Sequence, residues 1–297
     1  MLRDQKSGFA RISGHRLYYE TYGFDERGTV IVVPGGPGLS HDYLHSIADL
    51  APLGYRVIFY DPLGCGRSER PRKPSECSFK HSVDEVEGVR RALRISGPLH
   101  LVGHSYGGLV ALEAAVQDPG HFSGLILFSP SARLPEVASI WNLTRLPPKA
   151  RAFVTRRNPK FEDIWEPGTK TGYRRYREGY EIFTRLRVCR MKVPPFNLVH
   201  SMQHLNPRVA TAIVRSEKSF YGTASPEEAA RRYENLTVPC LLTVGRYDQL
   251  SPSGVRALHR RIPGSEMVVF EHSSHLANWE EREKFIEGVD RFLRRVS

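Results

Sequence analysis

The stretch LVGHSYGGLVAL (101–112) sets a serine between glycines where an apolar strand gives way to a helix. Such a sharp bend forces strained backbone angles on its apex residue, Ser105. Gly103 and Gly107, two before and two after, remove the side chains that would collide there. The bend lifts the hydroxyl to a helix N-terminus, where the dipole favours developing negative charge. With strand before and helix after, Gly103-His104-Ser105-Tyr106-Gly107 reads as a G-x-S-x-G nucleophile elbow. A glycine-rich turn without chemistry is the plain alternative.

The rest of the chain supplies the layers that such an elbow needs. TVIVVPG (29–35), YRVIFYD (55–61), LHLVGHS (99–105) and GLILFSP (124–130) are short apolar runs typical of strands buried on both faces of a parallel sheet. SVDE (82–85) is a candidate capping box opening a helix. HRLYYETYG after FARISG suggests an antiparallel hairpin at one edge. From 131 to about 234 no buried strand is evident, and arginines, aromatics and prolines dominate. The strand pattern resumes with PCLLTVG (239–245) and EMVVFE (266–271), and a last helix carries Phe285, Ile286, Val289, Phe292, Leu293 and Val296 on one stripe. The expected fold is α/β: a mostly parallel sheet with helices on both faces. Residues 1–130 and 235–297 form the core, and a mainly helical cap is inserted at 131–234.

A serine hydroxyl needs a base to take its proton. In this architecture the acid and then the histidine follow the serine. Of twelve histidines, His275 in HSSHLANWEE lies just past a strand, at the end of the sheet where ligands bind in open α/β folds. His272 is its rival. Asp248, in a polar turn after PCLLTVG, is placed to orient the imidazole, with a helix-capping role as the alternative. Asp61 precedes the serine and opens a glycine turn, and Asp118 sits at the far end of the elbow helix. The amide of Tyr106 and an amide of PGGPG (34–38), that of Gly36, are candidate donors to an oxyanion.

The net charge of +11 is concentrated: residues 145–192 hold 14 Lys/Arg against 5 Asp/Glu. No nucleic-acid motif accompanies it, so the plain reading is a solvated basic face and no nucleic-acid partner. No apolar run approaches the roughly 20 residues of a membrane span. The N-terminus lacks a secretory pattern, and four cysteines without C-x-x-C pairing read as reduced thiols, so a cytoplasmic location is expected. His41/His45 and His200/His204 stand at i, i+4, a metal-like spacing without an evident third ligand. No metal and no cofactor are expected.

PGGPGLSHDYL, FYDPLGCGRSERP, GHSYGG, VGRYDQLSP and SSHLANWEEREKF together resemble the α/β-hydrolase fold, and within it the proline iminopeptidase family of serine aminopeptidases, over nearly the whole chain. The resemblance implies a Ser105–His275–Asp248 triad, Gly36 and Tyr106 amides as oxyanion donors, and a helical cap. It also implies that carboxylates hold the substrate amine, one at Glu217 in SEKSFYG. The second typically follows the catalytic aspartate, where this chain has neutral Gln249. Pro34 stands where a histidine is typical. The expected activity is release of an N-terminal residue, proline or another apolar one, from short peptides through an acyl-enzyme. The alternatives are an esterase or amidase acting on a small non-peptide substrate, and a binding module without turnover.

Overall fold

A computed structural model describes residues 4–132, 134, 146–155, 172–216 and 225–297. Eight strands form one sheet: β1 (Lys6–Ile12), β2 (His15–Tyr22), β3 (Thr29–Val33), β4 (Arg56–Tyr60), β5 (Leu99–His104), β6 (Gly124–Phe128), β7 (Cys240–Gly245) and β8 (Glu266–Phe270). Their order is β1-β2-β4-β3-β5-β6-β7-β8. β1 and β2 pair as an antiparallel hairpin, β2 joins β4 antiparallel, and all later pairings are parallel.

The inner strands are buried and mainly apolar because both faces are covered. Alternate side chains of a strand point to opposite faces. Ile31, Val33, Ile58 and Leu101 pack into one core layer with Val83, Val86, Leu109, Leu112, Val255 and Leu258. Val30, Val32, Val57, Phe59 and Val102 pack into the other with Leu44, Ile47, Phe285, Val289 and Phe292. The first layer is roofed by helices α1 (Phe79–Ala92) and α2 (Tyr106–Gln117).

Between β6 and β7 every described element is a helix: α3 (Pro148–Thr155), α4 (Gly172–Arg187), α5 (Phe196–Gln203), α6 (Pro207–Ser216) and α7 (Pro226–Glu234). After β7 come α8 (Pro252–Arg261), α9 (Ala277–Glu280) and α10 (Arg282–Val296). Two backbone bonds tie the helical segment to loops at the ends of the strands, Asn206 N–H to Gly38 O at 2.9 Å and Gln249 N–H to Arg187 O at 3.1 Å. Among the described residues, no helix is long and apolar enough to cross a membrane.

One local expectation is corrected. α1 starts four residues earlier than SVDE suggests, with Ser78 rather than Ser82 as the cap, accepting from the His81 amide at 3.1 Å. Ser82 and Glu85 are interior: the Ser82 hydroxyl bonds Ser78 O, and Glu85 accepts from the Leu63 amide at 2.8 Å. Phe79 is buried, so the helix must already be formed there to seat it.

Candidate active site

Ser105 occupies the apex between β5 and α2 with φ 55° and ψ −119°, a conformation strained for any residue with a side chain. Backbone bonds hold the strain. Its amide donates to Phe128 O at 3.0 Å, and its carbonyl accepts from Gly108 at 2.9 Å and Ser131 at 2.9 Å. The flanking glycines are sterically required: a Cβ on Gly103 would lie 2.4 Å from Gly107 O, and one on Gly107 2.2 Å from Val33 O. Gly107→Ala is therefore expected to displace the loop after β3, lowering stability by about 1–3 kcal/mol and kcat at least tenfold. Denaturant unfolding and initial rates check this; an active, equally stable Gly107→Ala protein would contradict the packing.

His275 follows β8 in a loop pinned from both sides. Glu281 accepts from the His272 amide at 3.0 Å and the Ser273 hydroxyl at 2.6 Å, and Glu280 accepts from the Ser274 amide at 2.8 Å. His275 Nδ1 donates to Asp248 Oδ1 at 2.7 Å, with both side chains buried. The same oxygen accepts the Leu250 amide at 2.8 Å, which fixes the carboxylate plane. Asp248 Oδ2 is buried with no hydrogen-bond partner among the described residues. The His275 ring lies 4.5 Å, centroid to centroid, from the ring of His104, the residue before Ser105. The rival His272 is exposed, and Asp118 ends α2 on the exposed surface.

The loop after β3 abuts the elbow. A Cβ on Gly35 would lie 3.1 Å from Ser105 Cβ. The Gly35 amide is engaged by Tyr43 Oη at 2.7 Å. The next amide, that of Gly36 at φ 118°, meets no acceptor among the described residues. Tyr106 is the first residue of α2. Gln249 is half-buried beside Asp248, and Glu217 lies outside the described residues.

An α/β-hydrolase fold family matches residues 28–282. The proline iminopeptidase of Saccharolobus solfataricus is 31% identical over 296 residues, 98% of this chain and 93% of that one. The chain belongs to the proline iminopeptidase family of α/β hydrolases. The corresponding protein of Thermoplasma volcanium is 30% identical over 97% of this chain and 96% of its own. The crystal structure of proline iminopeptidase from Mycobacterium smegmatis superposes with a TM-score of 0.79 at 26% identity, covering 98% of each chain.

The structure also brings together a charge network that sequence spacing disclosed only in part. His41 is fully buried, its Nδ1 2.8 Å from Asp61 Oδ1 and its Nε2 3.7 Å from Glu20 Oε2. Glu20, His41 and His45 bring three ligand-type atoms within 4.8 Å of one another. The Glu20 oxygens are already engaged: they accept from Tyr18, Tyr22 and His45 at 2.7–2.9 Å, and the Arg67 guanidinium stands 3.3 Å away, while His41 Nε2 makes no hydrogen bond among the described residues. Burial opposes a charge on His41, but the Asp61 and Glu20 carboxylates outweigh it and raise its pKa to about 9. Burial likewise opposes ionisation of Asp61 and Glu20, and His41 leads the groups that hold both below the usual carboxylate range. The cluster therefore sets two cations, the His41 imidazolium and the Arg67 guanidinium, against Asp61 and Glu20.

Proposed function

We propose that the protein is a serine aminopeptidase releasing N-terminal residues, proline above all, from short peptides. The observation that carries this reading is the buried 2.7 Å His275–Asp248 pair at the strand ends, with the His275 ring 4.5 Å from that of His104, the residue before strained Ser105. It stands in a chain that aligns over 98% of its length with a protein named proline iminopeptidase.

Ser105 Oγ attacks the scissile carbonyl, and His275 Nε2 takes its proton. The carbonyl oxygen becomes an oxyanion facing the Gly36 and Tyr106 amides, donors in place before charge develops. The tetrahedral centre collapses, the C–N bond breaks, and His275 passes the proton to the leaving amine. Water, deprotonated by the same imidazole, then attacks the acyl-enzyme and restores Ser105. Asp248 keeps Nδ1 protonated and stabilises the imidazolium formed in each half.

The cap over residues 131–234 supplies selection. Glu217 reads the substrate's ammonium, with the Gln249 carbonyl as a weaker second acceptor. One charge-assisted hydrogen bond contributes roughly 1.5–3 kcal/mol, enough for tenfold to hundredfold in affinity. Long-range repulsion from the basic residues of the cap is screened beyond about 8–10 Å at physiological salt, so a carboxylate in direct contact with the amine outweighs it.

A panel of aminoacyl fluorogenic amides, each beside its N-acetylated form and a short-chain ester, tests this function. The free prolyl amide is expected to lead, and acetylation to lower kcat/KM by about tenfold to a hundredfold. Glu217→Gln is expected to erase most of that gap while sparing ester hydrolysis. Equal rates on free and acetylated amides would remove the amine-reading role. An ester hydrolysed far faster than every aminoacyl amide would replace the peptidase with an esterase of the same machinery.

A further inference from the structure

His104 is the unspecified residue of the elbow motif, yet it is buried and fully bonded. Its Nε2 lies 3.0 Å from the backbone carbonyl of His275, and its Nδ1 2.7 Å from Tyr43 Oη. Tyr43 Oη in turn lies 2.7 Å from the Gly35 amide. Chemistry fixes the direction of each bond. A carbonyl only accepts, so His104 Nε2 carries the proton. Nδ1 of the neutral ring is then an acceptor, and the Tyr43 hydroxyl must donate to it. The tyrosine oxygen is left to accept from Gly35.

We propose that His104 and Tyr43 are positioning residues for acyl transfer, forming one buried chain from Gly35 N–H through Tyr43 Oη–H and His104 to the His275 carbonyl. The inference rests on the triad assignment above. Three separate segments of that site, the loop carrying Gly36, the elbow and the histidine loop, are held in register by a single string of hydrogen bonds. Tyr43, His104 and His275 are all nearly inaccessible, so water cannot substitute for a lost link. The anchor of the proposed base is thus the residue next to the proposed nucleophile. A misplacement of about 1 Å between such groups costs on the order of a hundredfold in rate.

The chain also keeps His104 neutral. Its ring is packed between Phe128 and His275, at 4.5 Å from each, with Tyr43 at its edge. Burial first, and then the neighbouring His275, hold its pKa well below the ordinary histidine range. When His275 becomes an imidazolium during turnover, no second cation faces it.

The test compares Tyr43→Phe, His104→Leu and His104→Gln on the best aminoacyl amide, with Tyr22→Phe as control. Tyr22 loses a comparable buried hydroxyl, bonded to Glu20 and His45 and not part of this chain. Tyr43→Phe and His104→Leu are expected to lower kcat by about tenfold to a hundredfold at nearly constant KM. The double variant should be no worse than the worse single one, because either change breaks the same string. His104→Gln, whose amide offers both a donor and an acceptor, should recover most of kcat. Tyr22→Phe should lower stability alone. The downfield proton of the Asp248–His275 bond should be broader in Tyr43→Phe than in the wild type. Wild-type kcat retained in Tyr43→Phe, or additive losses in the double variant, would overturn the proposal. Should the His104 variants fail to fold, 15N-histidine spectra of the wild type decide: His104 protonated at Nδ1, or titrating between about pH 5 and 9, refutes the chain. Full activity in Ser105→Ala would instead refute the triad.

Discussion

Ser105→Ala is expected to lower kcat by on the order of 10⁶, and Asp248→Asn by about 10⁴. The difference has a structural origin. Alanine removes the atom that forms the acyl bond, while the backbone bonds that hold the elbow survive. Asparagine leaves the nucleophile in place and damages its base in either of two orientations. With its oxygen at the Oδ1 position it still accepts from His275 Nδ1 and the Leu250 amide. Its NH2 then takes the place of Oδ2, which is buried without a hydrogen-bond partner. The negative charge facing the imidazolium is lost in that arrangement. Turned over, the NH2 confronts both donors and drives His275 to the tautomer that cannot take the serine proton. Single-turnover rates on a prolyl amide, together with fluorophosphonate labelling of Ser105, measure both effects. Labelling of another serine, or a few per cent of wild-type rate in Ser105→Ala, would assign the nucleophile elsewhere.

The layers of this fold were legible because the inner strands are buried on both faces. Such strands read as short apolar runs, and the runs 55–61 and 124–130 contain β4 (Arg56–Tyr60) and β6 (Gly124–Phe128), overshooting each by one or two residues at the C-terminal end. What sequence could not disclose was contact between distant segments. SVDE looks like a cap in isolation, yet Ser82 also meets the Tyr106 hydroxyl at 3.1 Å and Glu85 meets the Leu63 amide. Both partners lie about twenty residues away. His41 and His45 showed a metal-like spacing with no third group. The third, Glu20, arrives only because β2 pairs antiparallel with β4. His104 was legible as a letter of the elbow, but its role depends on Tyr43 and His275, 61 and 171 residues away. At the site, Ser105 carried a motif and a strained geometry, whereas Asp248 and His275 were found by their place after strands. Glu217 and Gln249, proposed to read the substrate, carry no such positional signal.

Removing His41 is expected to be the most damaging single change to stability in the core, about 3–5 kcal/mol for His41→Leu. Leucine fits the apolar contact with Phe59 but leaves Asp61 and Glu20 buried with one fewer cation between them. The pH dependence identifies the cause. His41 titrates near 9 in the folded protein, against about 6.5 when unfolded. The folded state therefore binds the extra proton between these values, and stability falls as pH rises through them. This contribution is complete below about 6.5 and is lost above 9, a change of about 3 kcal/mol. Asp61 and Glu20 act oppositely: their depressed pKa values stabilise above about 4, and that gain is lost as acid protonates them. The cluster is thus strongest between about pH 5 and 6.5. His81, raised chiefly by its bond to Glu85, adds a slope of the same sign, so the wild type must be compared with the variant rather than with itself. Urea unfolding of both proteins at pH 6, 7.5 and 9 should show a stability gap that narrows as pH rises. A gap constant across that range would mean that His41 is neutral in the fold, and that Arg67 alone balances the two buried carboxylates.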